Sequence, residues 1–231
     1  MKPIKIFSIL LMLCLGIATV ATAQPAAVKK AANTTFTLTT FDAKGSILST
    51  SNGVFVSNNG ICVSTWKPFV GAMKAEVTDN NGQKYSVETI LGANELYDVA
   101  KFKVTAKTNA ALFAPSVVAN SAAWIVMSSQ AGAPIKANID KVEKFMTKYN
   151  YSVLSTTASE KYNGAPVLND KGQIVGIYNS NGTLQSATDA KYANDFVLTG
   201  LSQNDPTLLQ SGIRIALPQQ PDEAIIALML S

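Results

Sequence analysis

The chain has 231 residues, a formal net charge of +4 and no histidine, and 47% of its residues are hydrophobic. This length and apolar content are sufficient for one large domain, or two small lobes, with a packed core. The weak positive charge and the single arginine, Arg214, give no basic surface of the kind that binds nucleic acid.

The first 23 residues have the composition of a secretory signal peptide. A positively charged start precedes an apolar run over residues 6–20, and a small-x-small cleavage pattern ends at Ala23. The run is shorter than the ~20 apolar residues of a membrane span, so we expect cleavage and export to the periplasm or the cell exterior. The mature chain would then keep one cysteine, Cys62, which excludes an internal disulfide and a cysteine-rich metal site.

Short β-strands separated by turns are predicted over most of the chain. Residues 34–41 alternate apolar and polar side chains, which is the period of a half-buried strand. Asn-Gly pairs favour tight hairpin turns because both residues tolerate positive φ. Such turn signals occur at 52–53, 59–60, 81–82 and 181–182, with a similar Asp-Lys-Gly at 170–172. Further strands are predicted at 46–50, 53–56, 61–64, 73–78, 84–91, 99–104, 123–127, 137–145, 151–155, 166–168, 173–178 and 196–198. So many short strands favour sandwiches or barrels over a parallel α/β sheet.

The strand pattern is interrupted once near the middle of the chain. Residues 105–121 are rich in Ala, Thr, Asn and Pro and lack alternation. We expect this segment to connect two lobes, at about 33–108 and 120–200, within one domain over residues 24–200.

A change of period marks the C-terminal part, residues 201–231. Asp205 and the proline after it are typical of a helix start, as is a later proline followed by two acidic residues. These signals predict helices at 205–217 and 221–230 that form a helical hairpin. Its apolar residues indicate packing either on the second lobe or on a partner.

Three stretches in chain order resemble the catalytic segments of a known protease family. Residues 53–72 read GVFVSNNGICVSTWKPFVGA, residues 81–104 read NGQKYSVETILGANELYDVAKFKV, and residues 162–177 read YNGAPVLNDKGQIVGI. They are similar to the segments that carry the histidine, the aspartate and the serine of secreted chymotrypsin-fold serine proteases, most closely the high-temperature-requirement type. The resemblance covers about residues 51–198 and implies an all-β fold of two six-stranded antiparallel barrels.

The resemblance also implies a degenerate catalytic triad at the cleft between the barrels. The family's histidine falls on Lys67, its aspartate on Asp98 and its serine on Asn163. In the oxyanion loop, Lys161 stands where a glycine is usual, and Gly164 follows the serine position. We expect a contact between Lys67 and Asp98 to replace the one between histidine and aspartate.

These substitutions remove the groups that serine proteolysis needs. The reaction requires a base that takes the proton of the nucleophile and returns it to the leaving amine. A lysine is protonated at neutral pH, a neighbouring carboxylate favours that charged form, and an asparagine amide is not a nucleophile. The sequence therefore predicts a catalytically inactive protease homologue, without cofactor or metal, that binds a peptide or protein, for instance by strand addition beside the cleft.

Two alternatives remain open at this point. An active endopeptidase could use a serine–lysine dyad, for which Ser64, Ser155 and Ser159 are the candidate nucleophiles. The chain could instead be a purely structural module that docks on another protein through its C-terminal helices.

Overall fold

The structure is a computed structural model that describes residues 24–145, 149–197 and 214–215. The predicted signal peptide lies outside the described residues, as do both predicted C-terminal helices apart from residues 214 and 215. In the described part, two closed antiparallel barrels of six strands each follow one another along the chain. The predicted all-β double-barrel fold is confirmed.

The first barrel contains the strands β1 to β6. They are β1 Thr35–Phe41, β2 Ile47–Phe55, β3 Ile61–Ser64, β4 Lys74–Asp79, β5 Lys84–Asn94 and β6 Val99–Val104. Around the barrel the order is β1-β2-β3-β6-β5-β4, closed by pairing between β4 and β1. The alternation predicted for β1 places Phe36 and Leu38 in the core, where the ring of Phe36 packs 4.8 Å from that of Phe55 between centroids.

The second barrel contains the strands β7 to β12. They are β7 Ser121–Ile125, β8 Ile135–Phe145, β9 Tyr149–Thr156, β10 Pro166–Leu168, β11 Ile174–Ser180 and β12 Gln185–Thr188. The order around this barrel is β7-β8-β9-β12-β11-β10. Tyr178 is fully buried in its core, and its hydroxyl donates to the Ala158 carbonyl at 2.8 Å, so the phenol keeps a polar partner inside an apolar cluster.

An apolar cluster joins the two barrels. It combines Val54 and Val63 of the first barrel with Trp124 and Leu168 of the second. A short helix that the sequence analysis missed, α1 Ala26–Ala31, contributes the fully buried Val28. The barrels therefore share one continuous apolar contact, which fixes the cleft between them. None of the helices in the described segments is long and apolar enough to cross a membrane.

Most of the predicted turns are confirmed. Gly60, Gly82, Gly172 and Gly182 each have a positive φ between 72° and 84°, and each lies in the hairpin between two successive strands. The strand β12 is not predicted from the sequence, because residues 185–188 show no clear apolar alternation.

The predicted turn at Asn52-Gly53 is wrong, because β2 runs unbroken through both residues. Asn52 pairs with Thr37, and Gly53 pairs with Phe36 on β1 and Ser64 on β3. A Cβ at Gly53 would lie 2.2 Å from Cζ of Phe36. This glycine is therefore required for the close approach of an aromatic ring and not for a turn.

The end of the described chain departs from the prediction in two places. β13, Phe196–Val197, was expected with the second lobe but pairs in parallel with β5 of the first barrel. β14, Arg214–Ile215, lies inside the predicted helix 205–217 but pairs in parallel with Thr89 and Ile90 of β5. At these two residues the helix prediction is wrong, since the backbone hydrogen bonds along the edge of β5 override a local preference.

Candidate functional site

Asp98 occupies the turn before β6 and directs its carboxylate at the short helical turn Lys67–Phe69. Its Oδ1 accepts from the backbone N–H groups of Trp66, at 2.9 Å, and of Lys67, at 2.7 Å. The residue is buried and adopts a left-handed φ of 48°, a region that aspartate tolerates better than most residues. The carboxylate thus holds the backbone at the position that resembles the family's histidine.

The side chain of Lys67 reaches back to the same carboxylate. Its Nζ lies 3.7 Å from Asp98 Oδ2, while 72% of the lysine side chain remains exposed. The expected contact is therefore present, but it is an ion pair at the edge of the cleft in contact with water. Such pairs contribute only about 0–1 kcal/mol to stability.

Asn179 of β11 is the partner of Asp98 that the sequence analysis missed. Its Nδ2 donates to Asp98 Oδ2 at 2.7 Å across the cleft. It lies two residues beyond the third motif, so only the barrel geometry brings it to a residue 81 positions earlier. The aspartate position is consequently tied to both barrels.

Asn163 lies in the loop that precedes β10, and both polar atoms of its side chain are hydrogen-bonded. Its Nδ2 donates to the Ser180 carbonyl at 3.1 Å, and its Oδ1 accepts from the Ser180 N–H at 2.7 Å. The side chain therefore pairs with both backbone groups of one residue on β11, as a peptide group of a neighbouring strand would. This contact connects Asn163 to the residue next to Asn179.

The loop before Asn163 forms a short 3-10 turn, Glu160–Tyr162, which contains Lys161. The backbone N–H of Asn163 donates into this turn, to the Glu160 carbonyl at 2.9 Å. Gly164 has a φ of 84°, and a Cβ there would lie 2.1 Å from the Asn52 carbonyl oxygen. Gly164 is thus required both by its backbone conformation and by the close contact between the barrels.

Asn52 and Ser51 of β2 hold the same loop from the first barrel. Nδ2 of Asn52 donates to the carbonyls of Lys161, at 2.8 Å, and Asn163, at 3.0 Å. The Asn52 N–H and the Ser51 hydroxyl also donate to the Asn163 carbonyl, at 3.0 Å and 2.9 Å. The sequence analysis missed both residues because it assigned Asn52 to a turn.

Two of the three serines considered for a dyad donate their hydroxyl groups to other partners. Ser64 donates to the Asn52 carbonyl, and Ser155 donates to Asp140. That hydrogen bond from Ser155 is the main reason why the pKa of Asp140 lies below its ordinary value. In the segments that the structure covers, none of the three hydroxyls, including that of Ser159, is hydrogen-bonded to a lysine.

Metal-ligating side chains do not converge in the described part of the chain. No group of three or more His, Cys, Asp or Glu residues there is arranged to hold a metal ion. The polar contacts of the site are instead amide, carboxylate and backbone hydrogen bonds.

Comparison with known proteins identifies the fold but not a sequence family. No family model matches the chain, and no curated protein matches its sequence. Among solved structures, the HtrA-type protease AlgW with a tripeptide is similar with a TM-score of 0.62 at 16% identity, over 72% of this chain and 60% of that one. A serine endoprotease from Yersinia pestis gives a TM-score of 0.63 at 16% identity, over 72% of this chain and 62% of that one.

These neighbours are HtrA-type serine proteases with the trypsin-like fold of two six-stranded barrels. The predicted resemblance is therefore confirmed at the level of the fold. The chain spans about three fifths of the length of these neighbours. It contains a double-barrel domain with the fold of these proteases.

Proposed function

We propose that the chain is an exported, catalytically inactive homologue of trypsin-like serine proteases that binds an extended segment of a peptide or protein. The sequence supports inactivity because it contains no histidine, and because Lys67 and Asn163 stand at the positions of the base and the nucleophile. Losing both groups of a triad leaves only the rate that binding and oxyanion contacts supply.

The observation that carries the proposal is the engagement of Asn163. Both side-chain polar atoms pair with the backbone of Ser180. The backbone N–H, which serves as an oxyanion donor when a serine occupies this position, instead donates to Glu160 at 2.9 Å. A carbonyl placed at this site would meet neither a nucleophile nor that oxyanion donor.

A fluorophosphonate probe tests inactivity directly, because it labels activated serines. The mature protein should give no adduct, with trypsin as the positive control. Specific labelling of one serine that is lost in Lys67→Ala would refute the proposal and establish a serine–lysine dyad. Export is tested separately, since the processed chain should begin at Gln24.

An open strand edge beside the site supports the binding half of the proposal. β2 pairs with β1 from Ile47 to Val54, with one irregularity at Leu48, but it pairs with β3 only at Gly53–Phe55. The second edge of residues 47–51 has no strand partner in the described part of the chain. The next residue, Asn52, already donates its N–H across this edge to Asn163. An extended peptide can therefore add to the edge and end near Asn163.

Exposed apolar side chains line the approach to this edge. Ile47 is 67% exposed, Leu48 44% and Val70 43%. A Cβ at Gly71 would lie 3.8 Å from Cδ2 of Leu48, so the β2 edge adjoins the turn that carries Lys67. Apolar side chains of a bound peptide would find contacts here while its backbone pairs with β2. One structural neighbour, AlgW, was likewise solved with a tripeptide.

Thr50 provides a specific test of strand addition. The backbone N–H groups of successive residues point alternately to the two edges of a strand. The N–H of Asn52 points away from β1, so the N–H of Thr50, two residues earlier, also points to the open edge. Thr50→Pro removes an N–H from that edge and spares the β1 ladder. Thr50→Val keeps the N–H and is the matched control.

Fluorescent denatured casein serves as the peptide probe. We expect the wild type and Thr50→Val to bind it without producing fragments, and Thr50→Pro to bind at least about tenfold more weakly, the equivalent of about 1.4 kcal/mol. Thermal unfolding confirms that both variants fold. Equal binding by the two variants, or no binding by the wild type, would refute strand addition, whereas fragmentation of casein would refute inactivity.

A further inference from the structure

A cavity between the barrels lies away from Lys67, Asp98 and Asn163. Its volume is about 620 Å³, within the roughly 300–1,000 Å³ of ligand pockets. None of Lys67, Asp98 and Asn163 lines it. Residues of both barrels and of the connection between them form its wall.

The wall is mainly apolar. It includes Val56 and Ile61 of the first barrel, Val142 and Val175 of the second, and Phe113 of the connection. Two of these, Phe113 at 47% and Val142 at 38%, are exposed in spite of their size. Large apolar side chains that converge on one cavity and remain exposed to solvent mark a site for an apolar ligand.

The charged groups of the wall carry a formal excess of one positive charge, because they are Lys101, Lys191 and Asp189. Lys191 and Asp189 neutralise each other, with Nζ and Oδ2 2.9 Å apart. Their hydrogen bond raises the pKa of Lys191, which keeps this lysine charged. The remaining charge is that of Lys101.

Lys101 is available to receive an anion. Its Nζ donates to Oδ1 of Asn194 at 2.8 Å, and Asn194 also lines the cavity. An ammonium has three N–H donors, so two remain unused by the described residues. Lys101 also has no ion-pair partner among them, so its charge at the cavity wall is uncompensated.

We propose that this cavity binds a small amphiphilic carboxylate, an alkyl chain with one terminal carboxylate, such as a medium-chain fatty acid. The alkyl chain lies against the valines and Phe113, and the carboxylate pairs with Lys101. A single negative charge matches the single uncompensated positive charge of the wall. This site is independent of the peptide edge on β2.

Isothermal titration of the mature, full-length protein with decanoate, below its micelle concentration, tests the site. Decylammonium has the same alkyl chain with the opposite charge and should bind at least about tenfold more weakly. Lys101→Gln should weaken decanoate binding by about tenfold, since a hydrogen bond to a charged group contributes roughly that much. Lys103→Gln is the matched control, because Lys103 lies on the same face of β6 and does not line the cavity.

Val142→Trp tests the site by filling the cavity with a larger side chain. Val142 is partly exposed, so a larger side chain can fill the cavity without disturbing a core. Decanoate binding should be lost while the melting temperature is kept. The proposal is overturned if decanoate fails to bind, if decylammonium binds equally well, if both lysine variants weaken binding equally, or if Val142→Trp binds normally. Sedimentation adds one more refuting outcome: self-association lost in Val142→Trp would assign the cavity to a second copy of the chain.

Discussion

Exchanging the hydrogen-bonding partners at Asp98 and Asn179 tests what holds the candidate site together. The Asp98 carboxylate accepts three hydrogen bonds, two from the backbone at residues 66 and 67 and one from Asn179. Each hydrogen bond to a charged group contributes about 1.5–3 kcal/mol. The ion pair with the exposed Lys67 contributes only about 0–1 kcal/mol. The hydrogen bonds of Asp98 to the backbone and to Asn179 therefore contribute more to stability than its ion pair does.

Asp98→Asn should keep the acceptor for the two backbone N–H groups but place an amide NH₂ against the NH₂ of Asn179. We expect a loss of about 2–3 kcal/mol in the free energy of unfolding, because the partly buried NH₂ of Asn179 loses its charged acceptor and the two backbone N–H groups then donate to a neutral amide. Asn179→Asp in the same chain restores one acceptor opposite one donor. The loss of unfolding free energy in the double variant should therefore be about 1 kcal/mol smaller than the sum of the losses in the two single variants.

Urea unfolding measures these differences, provided that the m-value stays constant across the variants. Lys67→Met is the control for the ion pair and should cost less than about 1 kcal/mol. The reasoning fails if Lys67→Met destabilises the protein as much as Asp98→Asn does. It also fails if the free-energy changes caused by the substitutions at Asp98 and Asn179 are additive in the double variant.

Two further predictions concern the first barrel. Gly53→Ala should lower the free energy of unfolding by more than about 2 kcal/mol, since its Cβ would overlap the Phe36 ring. Gly45→Ala has open space around its Cβ and should lose only roughly 1 kcal/mol, because of its positive φ. Similar melting temperatures for the two variants would contradict this prediction. Cys62 is fully buried, and burial raises the pKa of its thiol, so Ellman's reagent should react with the native mature protein only as fast as the barrel opens. Rapid labelling at neutral pH that accelerates with pH as for an exposed cysteine would show that Cys62 is accessible.

Strand positions and hairpin turns could be predicted because their causes are local. The alternation in β1 and the positive φ of Gly60 and Gly82 depend on residues adjacent in the chain. The sequence alone also predicted which chemical groups are lacking at the positions that resemble a triad, since the resemblance puts Lys67 and Asn163 there. No tertiary contact can supply an imidazole that the chain does not contain.

The partners of those residues were decided by tertiary structure. Asn52 looked like a turn residue because Asn-Gly usually is one, but the packing of Phe36 on Gly53 and the contacts to the loop before β10 keep β2 extended. Asn179 meets Asp98, and Asn163 meets Ser180, only once both barrels have closed. Such contacts join residues far apart in the chain, so no local pattern encodes them. The cavity beside Lys101 has the same origin, because its wall exists only where the two barrels and their connection pack together.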